Sequence, residues 1–293
     1  MKAVALALGL TLVPVLAQAT PALAADRIAV VAAENFYGDI ARQIGGERVA
    51  VVSIMNNPEQ DPHLFETTPA VVRQLAGAQI VILNGANYDP WMDKLLAAVP
   101  RPDRTVISAA QLTGRNPGDN PHLWYDPVTM PAVATALAEA LAKADSTHAS
   151  DYAARLKSTL ATLDRISQRV AQLKAKHAGA SVTATEPVFG PMTQALGLTM
   201  RNERFQLAMM NDTEPSARDI AAFERDLKER KVKVLIYNSQ VSEKLTERLR
   251  DIAARSKVPV IGVTETMPPN VSFQDWVLGE LDALDKALTG PNS

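Results

Sequence analysis

Two histidines in this 293-residue chain stand in closely similar settings. His63 lies in Asp61-Pro62-His63-Leu64-Phe65-Glu66, and His122 in Asp119-Asn120-Pro121-His122-Leu123-Trp124-Tyr125-Asp126-Pro127. Proline fixes its own φ and drives the preceding residue into an extended conformation, so each imidazole is presented from a stiff loop. Acids flank both rings. A carboxylate that takes the proton of one ring nitrogen leaves the other nitrogen to face a metal ion. One histidine in a proline turn is ordinarily a turn residue. Two in a chain without cysteine point to metal ligation by imidazole and oxygen, thiolate being excluded. Glu186 and Glu265 could add oxygen donors, because each directly follows an apolar run, ending at Thr185 and Thr264. In parallel α/β sheets, ligands gather outside the carboxyl ends of the strands. Each glutamate also fits the cap or first turn of a following helix, and for Glu186 the adjacent Pro187 makes the two readings equal. The other histidines, His148 and His177, bound a helical segment and read as structural or exposed, His177 through its place at a helix C-terminus. Met209-Met210 reads as core packing.

Elements must bring these residues together from distant points in the chain. Short β-rich runs at 27–33, 48–54, 79–84 and 104–108, and again at 180–185, 232–238 and 258–264, alternate with helical patterns such as 36–44, 69–76, 90–98 and 217–230. That alternation predicts an α/β fold with mainly parallel sheets. Ser216, with Asp219 three residues on, marks a helix start. One segment breaks the alternation. From 149 to 176 there is no Gly and no Pro, and Tyr152, Leu156, Leu160, Leu163, Ile166, Val170 and Leu173 recur at three- or four-residue spacing. The spacing predicts one helix, roughly 40 Å long at about 1.5 Å per residue. It is too short a seam for a coiled-coil arm, and its strand-rich flanks make it a link between lobes. The expected architecture is two (β/α) lobes, 25–145 and 178–293, joined by one long linking helix, 146–177.

Lys2 is the only charge before Asp26, an apolar stretch covers 3–17, and Ala22-Leu23-Ala24 follows. This is the pattern of a signal peptide, 1–24, cleaved near Ala24 and too short to span a bilayer comfortably. With no cysteine there is neither a disulfide staple nor an attachment point for lipid, so a freely diffusing periplasmic monomer is expected. The remaining length, about 270 residues, is long for one core and comfortable for two. The formal charge is −2 with acids and bases interspersed, which gives no footprint for nucleic acid. A metallohydrolase is disfavoured: there is no His-Glu-x-x-His run, and a site whose positions are all filled by protein leaves none for a reactive water. The lack of repeats and of a lipid anchor argues against an adhesive display protein.

The motifs taken in order resemble one family over essentially the whole chain after residue 24. They are Asp61-Pro62-His63 with Glu66; Pro121-His122-Leu123-Trp124; Thr185-Glu186-Pro187-Val188-Phe189 followed by Ala195-Leu196-Gly197-Leu198; Glu214-Pro215-Ser216; the 234–242 segment; and Thr264-Glu265-Thr266. The sequence resembles the zinc- and manganese-binding (TroA-like, cluster A-I) periplasmic solute-binding proteins of ABC importers. The resemblance implies two lobes joined by a long helix and a site of four side chains, here His63, His122, Glu186 and Glu265. It further implies one divalent transition-metal ion (manganese, zinc or ferrous iron) as cargo, and an inner-membrane ABC permease as partner. A metal chaperone or a component that releases iron from a siderophore is the alternative within the binding class. Zinc members usually carry histidine where Glu186 stands, and aspartate is usual where Glu265 stands. A glutamate often ends the strand that here ends in Asn238. The His- and acid-rich loop of many zinc members is reduced to 112–120. Glu186 and the short loop lean toward manganese or ferrous iron.

Overall fold

The computed structural model describes residues 27–57, 65, 67–241 and 243–290. The segment read as a signal peptide, and both His63 and Glu66, lie outside the described residues. In the first half, β1 (Ile28–Glu34), β2 (Val49–Met55), β3 (Ile80–Leu83) and β4 (Thr105–Ser108) form a parallel sheet in the order β2-β1-β3-β4. In the second, β5 (Ser181–Ala184), β6 (Thr199–Arg201), β7 (Leu235–Asn238) and β8 (Val260–Val263) form another in the order β6-β5-β7-β8. The two sheets thus share one topology, and each has a point where strand order reverses, between β1 and β3 and between β5 and β7. Crevices at the carboxyl ends of such strands are where this architecture holds ligands.

The helices are α1 (Asn35–Gly45), α2 (Pro69–Gly77), α3 (Pro90–Ala98), α4 (Ala109–Thr113), α5 (Thr129–Ala144), α6 (Ala149–His177), α7 (Gly190–Ala195), α8 (Glu203–Met210), α9 (Ala217–Lys228), α10 (Lys244–Arg255) and α11 (Phe273–Thr289). They cover both faces of each sheet, which is why the strands are nearly unbroken apolar runs. On one face of the first sheet, Val31, Val81 and Leu83 pack with Leu75 of α2 and with Trp91 and Leu95 of α3. On one face of the second, Leu235 packs with Phe205, Phe223, Leu227 and Leu249; Met209 is buried in this cluster, as expected of a core residue. The remaining faces share a single core that runs from Val30 and Ile82 to Val182 and Ile236 through α1, α5, α6 and α11.

The predicted long helix is α6, 29 residues and about 43 Å long. Tyr152, Leu163, Ile166, Val170 and Leu173 are buried on it, and Leu156 and Leu160 half-buried. It packs against α5 and α1 of the first lobe and against α11, which returns from the second. Ser216 caps α9 as predicted: its Oγ accepts from Asp219 N at 3.1 Å. The final turns of α6 are fastened to α11 through Asp285, whose carboxylate meets Arg169, Lys176 and His177 at 2.8–2.9 Å. His177 is therefore placed by its contact with Asp285, 2.8 Å from Nε2, and not by its helix-end position alone. These partners hold the Asp285 carboxyl far below its ordinary range. A depressed carboxylate stabilises the fold above its unfolded pKa, and that contribution is lost as pH falls toward the folded value. Asp285→Asn is expected to cost about 1–2 kcal/mol at neutral pH and progressively less in acid; urea titrations at several pH values measure this.

Candidate metal centre

Pro121 delivers His122 into the space between the lobes, where it is 1% exposed. Its ring is aimed by Asn120 and not by the flanking acids. Asn120 Nδ2 donates to Pro187 O at 2.7 Å, in the other lobe. This turns Oδ1 toward the histidine, where it lies 2.8 Å from Nδ1 and accepts from the His122 backbone N–H at 3.1 Å. Nδ1 therefore acts as the donor to Asn120, and in a neutral ring Nε2 is the nitrogen left to ligate. Of the acids, Asp119 accepts from Asn116 N and Asp126 pairs with Arg115. Trp124 packs edge-on to the ring at 5.3 Å and stacks on Phe36 at 4.7 Å.

Across the interface, Glu265 follows β8 and is 2% exposed. Its Oε2 lies 3.5 Å from His122 Nε2. Gln240 holds its backbone in place, Oε1 accepting from both Glu265 N and Thr266 N. Tyr88 OH, from the first lobe, donates to Glu265 Oε2 at 3.1 Å. The turn that carries Tyr88 is unusual: Gly85, Ala86 and Asn87 all have positive φ, 75°, 52° and 65°. Asp89 stabilises it by accepting from Asn84 N and Gly85 N at 2.7 and 2.8 Å. Gly85 admits no side chain, since a Cβ would meet Ser108 Oγ and Ala110 Cβ at 2.8 Å. Burial pushes the Asp89 carboxyl up to about 6. Next to it, Glu34 at the end of β1 is buried with neither oxygen hydrogen-bonded among the described residues. Burial and the Asp89 charge hold its carboxyl well above the ordinary range.

Glu186 occupies the N-cap position of the 3₁₀ turn Pro187–Phe189, as Pro187 suggested, but its side chain makes no capping bond. It is 8% exposed, and its Oε2 accepts from Asn238 Nδ2 at 3.1 Å. The same Nδ2 donates to Glu265 Oε1 at 2.7 Å. Asn238, at the end of β7, thus sits between two carboxylates as a neutral donor. The structure brings His122, Glu265, Asn238 and Glu186 together at the lobe interface. Among the described residues no group of three or more His, Asp or Glu is arranged to hold a metal ion, and His63 lies outside them. Tyr88, Asn120 and Gln240 escaped the sequence reading; the Asn84-Gly85-Ala86-Asn87 turn at the end of β3 was the one local signal for Tyr88.

Further contacts join the lobes around this point. Asn35 and the Met267 backbone exchange bonds of 2.7 and 3.1 Å. Tyr125 OH donates to Thr264 O at 2.7 Å and to Glu280 Oε1 at 3.0 Å. The arrangement is a buried, lobe-bridging cluster of one imidazole and two carboxylates, with donors fixed from both sides.

Residues 30–287 match the family described as zinc-uptake complex component A, periplasmic (ZnuA). The chain is similar to the zinc-binding protein TroA of Treponema pallidum, 25% identical over 245 residues that cover 80% of this chain and 77% of TroA. It is also similar to the manganese-binding lipoprotein MntA of Bacillus subtilis, 25% identical over 230 residues that cover 75% of this chain and 73% of MntA. The solved TroA structure has the same fold, with a TM-score of 0.76 at 21% identity over 89% of this chain and 99% of that one. The structure of FpvC from Pseudomonas aeruginosa in complex with Mn2+ gives 0.74 at 17% identity over 90% and 98%. One family match thus runs through both sheets, the long helix and the interface cluster, and the chain belongs to the zinc-uptake complex component A family of metal-binding periplasmic substrate-binding proteins.

Proposed function

We propose that this protein captures one divalent transition-metal ion (zinc, manganese or ferrous iron) between its lobes and delivers it to an ABC importer in the inner membrane, without catalysing a reaction. On this reading residues 1–24 are a leader removed on export to the periplasm, and 25–145 and 178–293 are the metal-binding lobes on either side of the 146–177 link. The ligands are His63, His122, Glu186 and Glu265. The observation that carries the proposal is the meeting of His122 Nε2 with Glu265 Oε2 at 3.5 Å across the interface, both residues buried. An imidazole nitrogen and a carboxylate oxygen, brought together from the two lobes away from water, are a donor pair suited to a divalent transition-metal ion.

Two neutral imidazoles and two carboxylates balance a divalent charge, so the loaded site leaves no net charge in a low dielectric. Because the donors come from both lobes, loading ties the lobes together, and a permease can tell loaded from empty protein by surface shape. The long α6 and the α11 return favour small rearrangements over wide hinge closure. Thermal melts of chelator-stripped protein titrated with Zn(II), Mn(II) and anaerobic Fe(II), with His63→Ala as control, test the proposal. Binding to the folded state alone raises stability by about 4 kcal/mol at a thousandfold excess over Kd. A rise lost in His63→Ala is expected; no rise with any of the three ions would overturn metal capture.

A further inference from the structure

One side chain ties the His122 loop of the first lobe to the loop that carries Glu186 in the second. Asn120 donates from Nδ2 to Pro187 O at 2.7 Å, across the lobe interface, and its Oδ1 meets the His122 ring and backbone N–H at 2.8 and 3.1 Å. A primary amide is planar, so its two ends cannot turn separately. Movement of Pro187 away from Asn120 therefore frees the group that aims His122. The bonds of Asn35 and Tyr125 across the same interface reach none of the candidate ligands. The second lobe also leaves room for the amide. Gly190, the first residue of α7, lies where a Cβ would meet Asn120 Nδ2 at 2.6 Å. Its φ and ψ, −53° and −50°, are those of an ordinary helical residue, so the close approach of Asn120, and not the backbone, calls for glycine there. Asn120 is half-buried and, with Pro187 and Gly190, lines a cleft of about 500 Å³ between the lobes. Water is thus at hand for both ends of the bond once it breaks.

We propose that Asn120 is a positioning residue that couples contact between the lobes to retention of the ion. While the lobes meet at Pro187 and Gly190, its amide holds the His122 ring on the metal; when they part here the amide is freed, His122 loses its aim and the ion leaves. This rests on the metal-capture reading above and concerns His122 alone among the ligands. A carboxylate can hold the second nitrogen of a ligating histidine, but it has no N–H to give to Pro187 O. An amide accepts from the ring at one end and donates to the other lobe at the other. A single neutral hydrogen bond beside a solvent cleft is readily exchanged for water, which suits a strap that a docked permease has to undo.

The test is the rate at which zinc leaves the full chain for excess chelator, followed by stopped flow. It compares the unsubstituted protein, Asn120→Asp and Gly190→Ala, with melts of the metal-free forms to establish folding. Asn120→Asp keeps an acceptor for His122 Nδ1 and loses the donor to Pro187. Gly190→Ala leaves the first lobe unaltered and displaces the amide with one methyl group. Zinc is expected to dissociate about tenfold or more faster from both. If either folded variant releases zinc no faster than the unsubstituted protein, the inference falls; a purely local role in aiming His122 would give that result in Asn120→Asp. The double variant Gly190→Ala/Asn120→Ala should release zinc no faster than Asn120→Ala alone, because the methyl acts through an amide already removed. Additive effects would mean a general disturbance of the fold and would overturn the inference. Should Gly190→Ala fail to fold, Asn120→Asp decides. Metal capture is judged separately: zinc bound by the unsubstituted protein and lost in His122→Ala upholds it whatever these variants show, whereas no binding by the unsubstituted protein overturns both.

Discussion

Replacing His122 with alanine is expected to abolish the metal-dependent rise in stability while leaving a folded protein. The loss should amount to about 4 kcal/mol at a thousandfold metal excess over the Kd of the unsubstituted protein. The metal-free variant should lose less, about 1–3 kcal/mol, from the space left beside Trp124 and Tyr88. The physical reason for the separation lies in the partners of Glu265. Without the imidazole, Glu265 keeps the Tyr88 hydroxyl and the Asn238 amide, so the apo interface remains satisfied, but the ion loses a ligand that no neighbour replaces. Asn120→Ala should give a weaker form of the same result, because Asn120 orients the His122 ring through Nδ1 and so aims Nε2 at the interface. Metal affinity should also fall in acid, since a protonated imidazole cannot ligate. Melts with and without metal, read beside direct calorimetry, measure all of these. A metal-dependent rise that survives in His122→Ala would remove His122 from the ligand set.

A second large effect is expected at Glu280. This carboxyl of α11 is buried at the lobe interface, and its Oε1 accepts from Tyr125 OH, Trp276 Nε1 and Thr264 N at 3.0, 3.0 and 3.3 Å. Its Oε2 has no hydrogen-bond partner among the described residues. Burial outweighs the three donors and pushes the carboxyl from an ordinary 4.5 up to about 8. The folded state therefore holds a proton that the unfolded chain has released. Stability falls as pH rises through the interval between those two values, and the loss is complete above the folded pKa. The penalty at high pH is on the order of 4 kcal/mol. Glu280→Gln keeps a carbonyl oxygen for the three donors and cannot ionise. Relative to the unsubstituted protein it should therefore gain stability steadily across that interval and show no gain below it. Urea titrations from about pH 4 to about pH 9 test this; parallel stability curves for the two proteins would show that Glu280 is not protonated in the fold.

The long helix was legible because its signal is local and redundant: seven apolar residues at helical spacing with no Gly or Pro, realised as Ala149–His177. Strands buried on both faces were legible for a similar reason, as short apolar runs such as Ile80–Leu83. The edge strand Thr199–Arg201 was not, since three mixed residues carry no periodicity and pair only because β5 lies alongside. The runs 232–238 and 258–264 shorten to Leu235–Asn238 and Val260–Val263. The residues trimmed, including Val232, Val234 and Val258, are apolar because they are buried in the core, which sequence pattern cannot separate from pairing.

The sequence by itself determined the class of fold, the brace between its halves and the chemistry at hand: imidazoles in proline turns, carboxylates just past strand ends and no thiol. Those are properties of single segments, set by dihedral preference, periodicity and residue type. The tertiary structure decided which of these groups meet and in what electrical state. Asn120, and neither of the nearby acids, aims His122 because Pro187 O, 67 residues away, fixes its amide. Asn238 reads in sequence as a missing charge, and in the fold it is the donor shared by two glutamates. Tyr88 reaches Glu265 across 177 residues because the left-handed turn at Gly85–Asn87 points it over the interface. A hydrogen bond depends on distance and orientation to within a fraction of an ångström. No single segment carries that information when its partner comes from the other lobe, and it exists only once both sheets have packed against α6 and α11.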